Sequence, residues 1–534
     1  MSNAALRSKS LWKGALFVSA AAFLGKILSA LYRVPYQNMT GDIGYYVYQQ
    51  IYPFYGAAMV TAMYGFPVII SKMVLETERV AGEKAAKDKA WSAFFLLLLI
   101  HIPLFLLLFL GAPIAAEIMG DRQLTTSLRV ISLVFLFVPV YSATRGYFQG
   151  MGNMNPTALS HLLEQLVRVT VILTLAWLVI YTGKDVYAAG LAAAVGSIAG
   201  SVAGVSYLIW YITQHRKKQP SSVDWQRVLH SIKTEKTALL VPGFLICAGT
   251  MVFILYQLID AFTLAKLLEE SGVTAQQAKE LKGLFDRGQP LLQFGTVVAS
   301  SLAMTVVPLI SREKQAGNVQ MSQSYAALAV RVSVLVGFAS ALGLNLIAQP
   351  VNVFLYEDAN GTELLQILAI TLAVSGPVMV TSAVMQGHDC YARPVVHLFI
   401  GWCVKLAGNI SLIPVFGAKA AATATVAGML ITALCNGIFL YKRQWLESFS
   451  LLWMGKAVLA LAGMAFAACA LLEMFETILS ETRTAAAISS LLTVFVSSIL
   501  FLGMVVLLRL FTREERRMLP VLQKIEGLWK RKEK

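Results

Sequence analysis

Residues 139–168 read PVYSATRGYFQGMGNMNPTALSHLLEQLVR, and residues 377–405 read PVMVTSAVMQGHDCYARPVVHLFIGWCVK. The two stretches share their punctuation. Pro139, Gln149-Gly150, Pro156 and Arg168 return as Pro377, Gln386-Gly387, Pro394 and Lys405, at offsets of 237 to 238. Upstream, Pro67 to Lys72 (PVIISK) returns as Pro308 to Arg312 (PLISR), at 240 to 241. In both places the proline is read as closing a helix, with a basic loop after it. Prolines, a Gln-Gly turn and a cation in register are the mark of an internal duplication. Each copy holds six apolar segments, an even number. Both copies therefore start on the same side of a membrane, and the halves are parallel, related by an axis along the membrane normal.

Composition makes those segments membrane spans. Of 534 residues 57% are apolar and only 14% charged, with a mean hydropathy of +0.67. A soluble chain carries about 25% charged residues, so most of this surface faces lipid. That excludes a soluble enzyme, a disordered chain and a secreted disulfide scaffold. The five cysteines, Cys247, Cys390, Cys403, Cys435 and Cys469, lack C-x-x-C spacing and read as small hydrophobes. A spanning helix needs about 20 apolar residues. Fourteen fit, near 11–33, 43–71, 91–112, 124–148, 156–181, 186–212, 237–262, 288–310, 324–347, 364–386, 394–416, 419–441, 451–475 and 485–509. The first is too long, and with Lys26 too polar, for a cleaved signal peptide. The expected fold is an all-α polytopic membrane protein. Its expected parts are a first lobe (1–214, spans 1–6), a basic cytoplasmic linker (215–236), a second lobe (237–442, spans 7–12), spans 13–14 (443–511) and a basic cytoplasmic tail (512–534).

Lys and Arg orient the chain. With both termini in the cytoplasm, 29 of the 44 fall inside, including those of the 72–90 and 213–236 loops and Arg145. Nine fall outside, four of them in the long loop 263–287, and six lie within spans. The net charge of +15 thus follows mainly from inward-facing loops and implies no nucleic-acid partner. Membrane lipids are the expected partners, and the tail reads either as a basic amphipathic helix on anionic headgroups or as a solvated segment.

Ionisable groups at bilayer depth are functional candidates by default. Ser19, Lys26 and Arg33 recur every seven residues and share a face. Lys26 points to a water-filled cavity; Arg33 reads equally as a cavity residue or as one snorkelling to the outer headgroups. Span 2 places Tyr45, Tyr48, Gln49, Tyr52 and Tyr55 on one face. An interfacial aromatic belt explains the first two, whereas Tyr48, Gln49 and Tyr52 together suggest a polar cavity wall that stacks on a sugar. Span 5 carries His161, Glu164, Gln165 and Arg168 on one stripe, with Glu164 and Arg168 spaced to pair along the helix as a brace or a coupling pair. Span 11 holds His397, Lys405 and Asn409. Gln257 and Asp260 end span 7, and Asp286-Arg287 opens span 8. No P-loop, G-x-S-x-G, H-E-x-x-H or Cys/His cluster occurs, so neither a nucleotide motor nor a cofactor or metal is expected. The excess of cations over acids in the spans suggests an anionic cargo.

These features together resemble the multidrug/oligosaccharidyl-lipid/polysaccharide exporter superfamily. The stretch GKILSALYRVPYQNMTGDIGYYVYQQIYPFYG (25–56) is similar to its polysaccharide transporter branch, and within that to the stage V sporulation protein B group of Gram-positive bacteria. The segment FDRGQPLLQF (285–294) with VVPLISREKQAGN (306–318) resembles the eighth span of MurJ-type lipid II flippases, where an Asp-Arg pair opens the helix and Pro-x-x-Ser closes it. The resemblance implies a cationic cavity. Lys26 stands where the MurJ-type proteins carry a span-1 arginine, Arg33 lies about one residue from their second, and Asp286-Arg287 match the Asp-Arg pair. Their span-2 arginine is replaced here by the Tyr-Pro-Phe-Tyr-Gly run at 52–56, and the acid shortly after the Asp-Arg pair is absent.

The expected function is transport, not catalysis. A flippase of the cytoplasmic membrane would move an undecaprenyl-pyrophosphate-linked saccharide, such as a peptidoglycan precursor, by alternating access. Lys26, Arg33, Arg168, Arg287 and Lys405 would hold the anion, with Glu164, Asp260 and Asp286 as coupling or ion-pair acids and H+ or Na+ as coupling ion. Two alternatives stand beside it. A cation-coupled multidrug exporter would carry a deep acid in span 1, and a polytopic polymerase or ligase for lipid-linked glycans would need a large catalytic outer loop.

Overall fold

The computed structural model describes residues 24–25, 27–215, 223–446, 449–480, 482–512 and 515. Lys26, the run Arg216–Lys218 and nearly all of the 512–534 tail lie outside these residues. Among the described residues the chain is helical, with no strand. Residues 27–31 are already helical and lead into α1 (Arg33–Val60), a π-helical turn (Thr61–Gly65) and α2 (Phe66–Ile118). Then come α3 (Thr125–Ser132), α4 (Val138–Gly150), α5 (Asn155–Tyr181), α6 (Val186–Gln214), α7 (Trp225–Thr250), α8 (Val252–Glu270), α9 (Ala275–Asp286) and α10 (Gly288–Gly295). The remainder is α11 (Val297–Gln315), α12 (Val319–Leu346), α13 (Ala348–Tyr356), α14 (Thr362–Ala369), α15 (Thr371–Gly387), α16 (Ala392–Phe416), α17 (Ala418–Lys442), α18 (Leu451–Ile478) and α19 (Arg483–Leu507).

Among the described residues, ten helices are long and apolar enough to cross a membrane, or up to twelve if two bent pairs each count as one span; α7 and α8 form one such pair, bent by 71°. The run Ile27–Ile118 counts once in this tally although it has 92 residues. At 1.5 Å per residue it would measure about 138 Å, against a hydrocarbon core of about 30 Å. Gly41 (φ 68°) and Gly82 (φ 80°) break it.

Two sequence expectations give way here. The basic segment 72–90 is not a loop. Pro67 starts α2 rather than ending a helix, because a proline in the first turn gives up no intrahelical hydrogen bond; Pro308 likewise lies inside α11. The segment 263–287, expected as an outside loop made of a short helical-looking run, does form helix, but the last turns of that helix are packed and not exposed. Its second half is α9, with Lys282 1% and Asp286 2% exposed.

The chain compacts as two units, one of residues 1–294 with 391–428, the other of 295–390 with 429–534. In the first, glycines let helices approach to backbone contact. A Cβ on Gly200 would lie 2.7 Å from the Glu164 carbonyl and from the Arg168 Cβ, so α5 and α6 touch along Gly196, Gly200 and Gly204. A Cβ on Gly146 would meet Ile70 and the Pro67 carbonyl, seating α4 on α2. The core beneath is built from Val47, Ile51, Phe54, Leu128, Val134 and Tyr141, among others.

The second unit repeats that α2–α4 contact. A Cβ on Gly387 of α15 would meet Ile310 and the Val307 carbonyl of α11. Ile70 and Ile310 are 240 residues apart, which is the sequence repeat expressed as packing. The glycine that matches Gly387 in this contact is Gly146, one turn before the Gly150 of the sequence register. Arg331 of α12 holds Glu515 at 2.6 Å, and Asn436 of α17 donates to Thr381 and Ser382. His388, just past α15, stacks on Trp445; burial and the nearby Lys314 lower its pKa. Helices α18 and α19 carry many exposed apolar side chains, Val458, Phe466, Leu491 and Phe495 among them, as a lipid-facing surface requires.

Candidate functional site

All of the candidate site residues that are described belong to the first unit. The site starts from the tyrosines of α1 and the residue before it. Tyr36, Tyr45, Tyr48, Tyr52 and Tyr55 follow helical spacing, and with Tyr32 they form a chain of rings 5.2–6.4 Å apart. Tyr45 is 0% and Tyr48 2% exposed, so these two are interior residues and not an interfacial belt. The Tyr32 and Tyr48 hydroxyls hydrogen-bond to each other.

Two arginines sit against this ladder. Arg33 is 0% exposed and does not snorkel; its guanidinium carbon lies 4.2 Å from the Tyr52 ring centroid. Its three guanidinium nitrogens are buried without a hydrogen-bond partner of good geometry among the described residues. Arg168 reaches the same face from α5. It donates to the Tyr32 hydroxyl at 2.5 Å, to the Tyr48 hydroxyl at 3.3 Å and to Gln165 Oε1 at 3.1 Å, and it stacks over Tyr55 at 4.0 Å. Gln49 is buried, with its amide oxygen unpartnered.

The expected Glu164–Arg168 pair does not form. Glu164 faces Arg145 of α4, with Nη2 to Oε2 at 3.2 Å and both side chains 0% exposed. Tyr55 also donates to Glu164 at 3.0 Å, and His161 Nδ1 lies 4.0 Å from it. The reason is helix contact. The close α4–α5 approach offers Glu164 a guanidinium that also donates to Ser160, while the tyrosine face draws Arg168 the other way. Arg145, assigned from sequence to a cytoplasmic loop, is instead a fully buried residue of α4.

The Asp286-Arg287 dipeptide also splits. Arg287 reaches Asp42, at the start of span 2, with Nε at 2.8 Å and Nη2 at 2.7 Å, and Gln37 donates to the same carboxylate at 3.1 Å. Asp286 instead pairs with Lys282 one turn earlier on α9. Lys405 of α16 pairs with Asp260 of α8 at 2.7 Å. Farther along α9, Lys279 reaches Asp121 at 3.0 Å, an acid that also accepts from Tyr187 at 2.6 Å.

Arg145, Lys279, Lys282, Asp42 and Asp121 are the ion-pair residues to which sequence reasoning gave no site role. Lys282 and Asp286 had a legible signal, their i, i+4 spacing; Arg145 and Asp42 had none without their partners. The charge pattern is now explicit. Arg145, Lys279, Lys282, Arg287 and Lys405 each have a carboxylate within ion-pair distance. Arg33 and Arg168 have none among the described residues, and both lie on the same tyrosine face. The three Arg33 nitrogens and Arg168 Nε have no hydrogen-bond partner of good geometry among the described residues, and they are the donors a planar or phosphate oxyanion can use. No cluster of three or more His, Cys, Asp or Glu suited to a metal ion occurs among the described residues.

Long apolar helices with buried cations among them define an integral, polytopic membrane protein. Residues 11–314 match the polysaccharide biosynthesis protein family, and the chain belongs to that family. It is 34% identical to the Bacillus subtilis membrane protein YabM over 98% of this chain and 97% of that one. It is 26% identical to the lipid II flippase MurJ of B. subtilis, over 83% and 85%, and 28% identical to the stage V sporulation protein B of the same organism, over 79% and 82%. Among solved structures it is similar to the lipid II flippase MurJ in an inward closed conformation (TM-score 0.64, 15% identity, 92% of this chain and 99% of that one). It is also similar to an inward-facing multidrug resistance MATE family transporter of the MOP superfamily (TM-score 0.62, 15% identity, 78% and 94%). These matches place the chain in the fold that the resemblance implied, as a multi-pass membrane protein.

Proposed function

We propose that this protein is a flippase that carries an undecaprenyl-pyrophosphate-linked saccharide across the cytoplasmic membrane. The observation that carries the reading is the pair Arg33 and Arg168: two buried guanidiniums without a carboxylate, converging on one ladder of tyrosines. Buried charge without a counter-ion is costly in a membrane interior. An entering pyrophosphate supplies that counter-ion, and the tyrosine rings offer apolar faces and hydroxyls to the attached sugar. Lys26, seven residues before Arg33, extends the same cationic face in this proposal. The relative named as a lipid II flippase, 26% identical, supports the cargo class. The MATE likeness supports the fold alone, and no deep acid in span 1 favours the multidrug alternative.

In the proposed cycle the anion is taken up from the cytoplasmic side, the two six-helix halves exchange access, and the lipid tail stays in the bilayer. Fourteen spans, parallel lobes, cytoplasmic termini, a Gram-positive source and a coupling ion (H+ or Na+) belong to this proposal. The test uses liposomes containing a fluorescent undecaprenyl-pyrophosphate-linked oligosaccharide. Arg33→Ala and Arg168→Ala, each correctly inserted, are expected to lower the flipping rate at least about tenfold, the loss of one charge-assisted contact of about 1.5–3 kcal/mol. Wild-type rates in both variants would refute the assignment.

A further inference from the structure

Arg168 and Lys405 occupy matching positions of the two sequence halves, 237 residues apart, yet their surroundings differ in kind. Arg168 meets tyrosine hydroxyls and an amide. Lys405 is 0% exposed, and its ammonium meets oxygens from two neighbouring helices. Its Nζ lies 2.7 Å from Asp260 Oδ1 of α8 and donates to the Thr425 hydroxyl of α17. Asn409, one turn along α16, donates to Asp260 at 3.1 Å and to the Thr263 hydroxyl at 2.8 Å, and its own amide oxygen is buried without a partner. A carboxylate oxygen and a threonine hydroxyl are hard donors of the kind that bind alkali cations. The compact, three-donor ammonium of lysine substitutes for such an ion in a way the planar guanidinium of arginine does not.

We infer that Lys405 is a tethered counter-cation for Asp260: its ammonium fills a monovalent-cation site within the membrane, so this half of the protein needs no exchangeable Na+ or K+ at that position. Asp260, 2% exposed, requires a positive partner wherever the protein is in its cycle. Covalent attachment makes that partner permanent. Lys405 is accordingly committed to Asp260 and does not join Arg33 and Arg168 in holding an anion. This removes Lys405 from the expected cationic cavity and excludes this site as the seat of the coupling ion. The inference rests on the geometry around Asp260, not on the identity of the cargo.

The test is a thermal unfolding series on purified full-length protein, titrated with NaCl or KCl and balanced to constant ionic strength with N-methylglucamine chloride. Wild-type protein should show no cation-specific shift. Lys405→Ala, which leaves Asp260 and the other oxygens around an empty position, should gain a Na+- or K+-specific rise of at least about 2 °C at saturation. Lys405→Ala with Asp260→Asn should lose that rise, since the carboxylate is gone. A cation-specific shift in the wild type equal to that of the variant overturns the inference, and so does a folded Lys405→Ala without any shift. Should Lys405→Ala not fold, recovery of folding in the double variant supports the inference and failure of both overturns it. Transport is not read, so this result and the flipping assay stand or fall separately.

Discussion

At the scale of the residue, the decisive fact is which carboxylate each buried cation meets. Glu164 and Arg145 are both fully buried and 3.2 Å apart. Removing one member of such a pair leaves an uncompensated charge and costs about 3–5 kcal/mol, whereas replacing both by neutral groups of similar size costs far less. Glu164→Gln should therefore lower the unfolding midpoint in detergent strongly, and Glu164→Gln with Arg145→Met should recover most of the loss. Exchanging Glu164 and Arg168 (Glu164→Arg with Arg168→Glu) should not restore stability, because Glu164 does not answer to Arg168. A double-mutant cycle that placed the coupling on Arg168 instead of Arg145 would contradict the assignment.

At the scale of the element, the short helix α9 matters beyond its twelve residues. Its Lys279 reaches Asp121, and Arg287 directly after it reaches Asp42. Between those contacts a Cβ on Gly283 would stand 2.3 Å from the Asp42 carbonyl oxygen. Backbone atoms there cannot yield as a flexible side chain can, so Gly283→Ala should push α9 off α1 and cost about 1–3 kcal/mol. Gly111, inside α2 with open space around it, is the control. Gly111→Ala should be neutral or stabilising by up to about 1 kcal/mol, since alanine is the better helix former. Thermal midpoints of the two variants decide the matter; equal midpoints would show that the close approach is not what holds α9. The turn of helix from Lys282 to Asp286 is legible in sequence as an i, i+4 pair. Its docking is not, because the partner Asp42 lies 245 residues away from Arg287.

At the scale of the whole molecule, the prediction concerns orientation. The Lys and Arg distribution places Lys233 in the cytoplasm and Ala359 outside. In a background with the five native cysteines replaced, Lys233→Cys and Ala359→Cys should react with a membrane-impermeant maleimide from opposite faces of sealed vesicles. Labelling of both from one face would refute the parity of spans between them. The same scale shows why the span count is hard to read. The apolar stretches were visible, but the basic segment 72–90 is helical on both sides of Gly82, and that helix merges neighbouring spans into one element.

The sequence by itself determined that this is a duplicated, all-helical membrane protein. Those properties are written in local quantities: apolar length set against bilayer thickness, proline and glycine in register, and the bias of Lys and Arg between loops. It also marked Arg33, Arg168, Glu164, Asp260, Asp286, Arg287 and Lys405 as costly and therefore worth asking about. Only the tertiary structure decided their partners. Glu164 took Arg145, Arg287 took Asp42, Lys405 took Asp260, and Arg33 and Arg168 were left to the tyrosines. The physical reason is range. Helical spacing fixes which side chains share a stripe, but an ion pair is made across the gap between helices. For Arg287 and Asp42 that gap is set by Gly283, whose missing side chain lets α9 touch the Asp42 backbone.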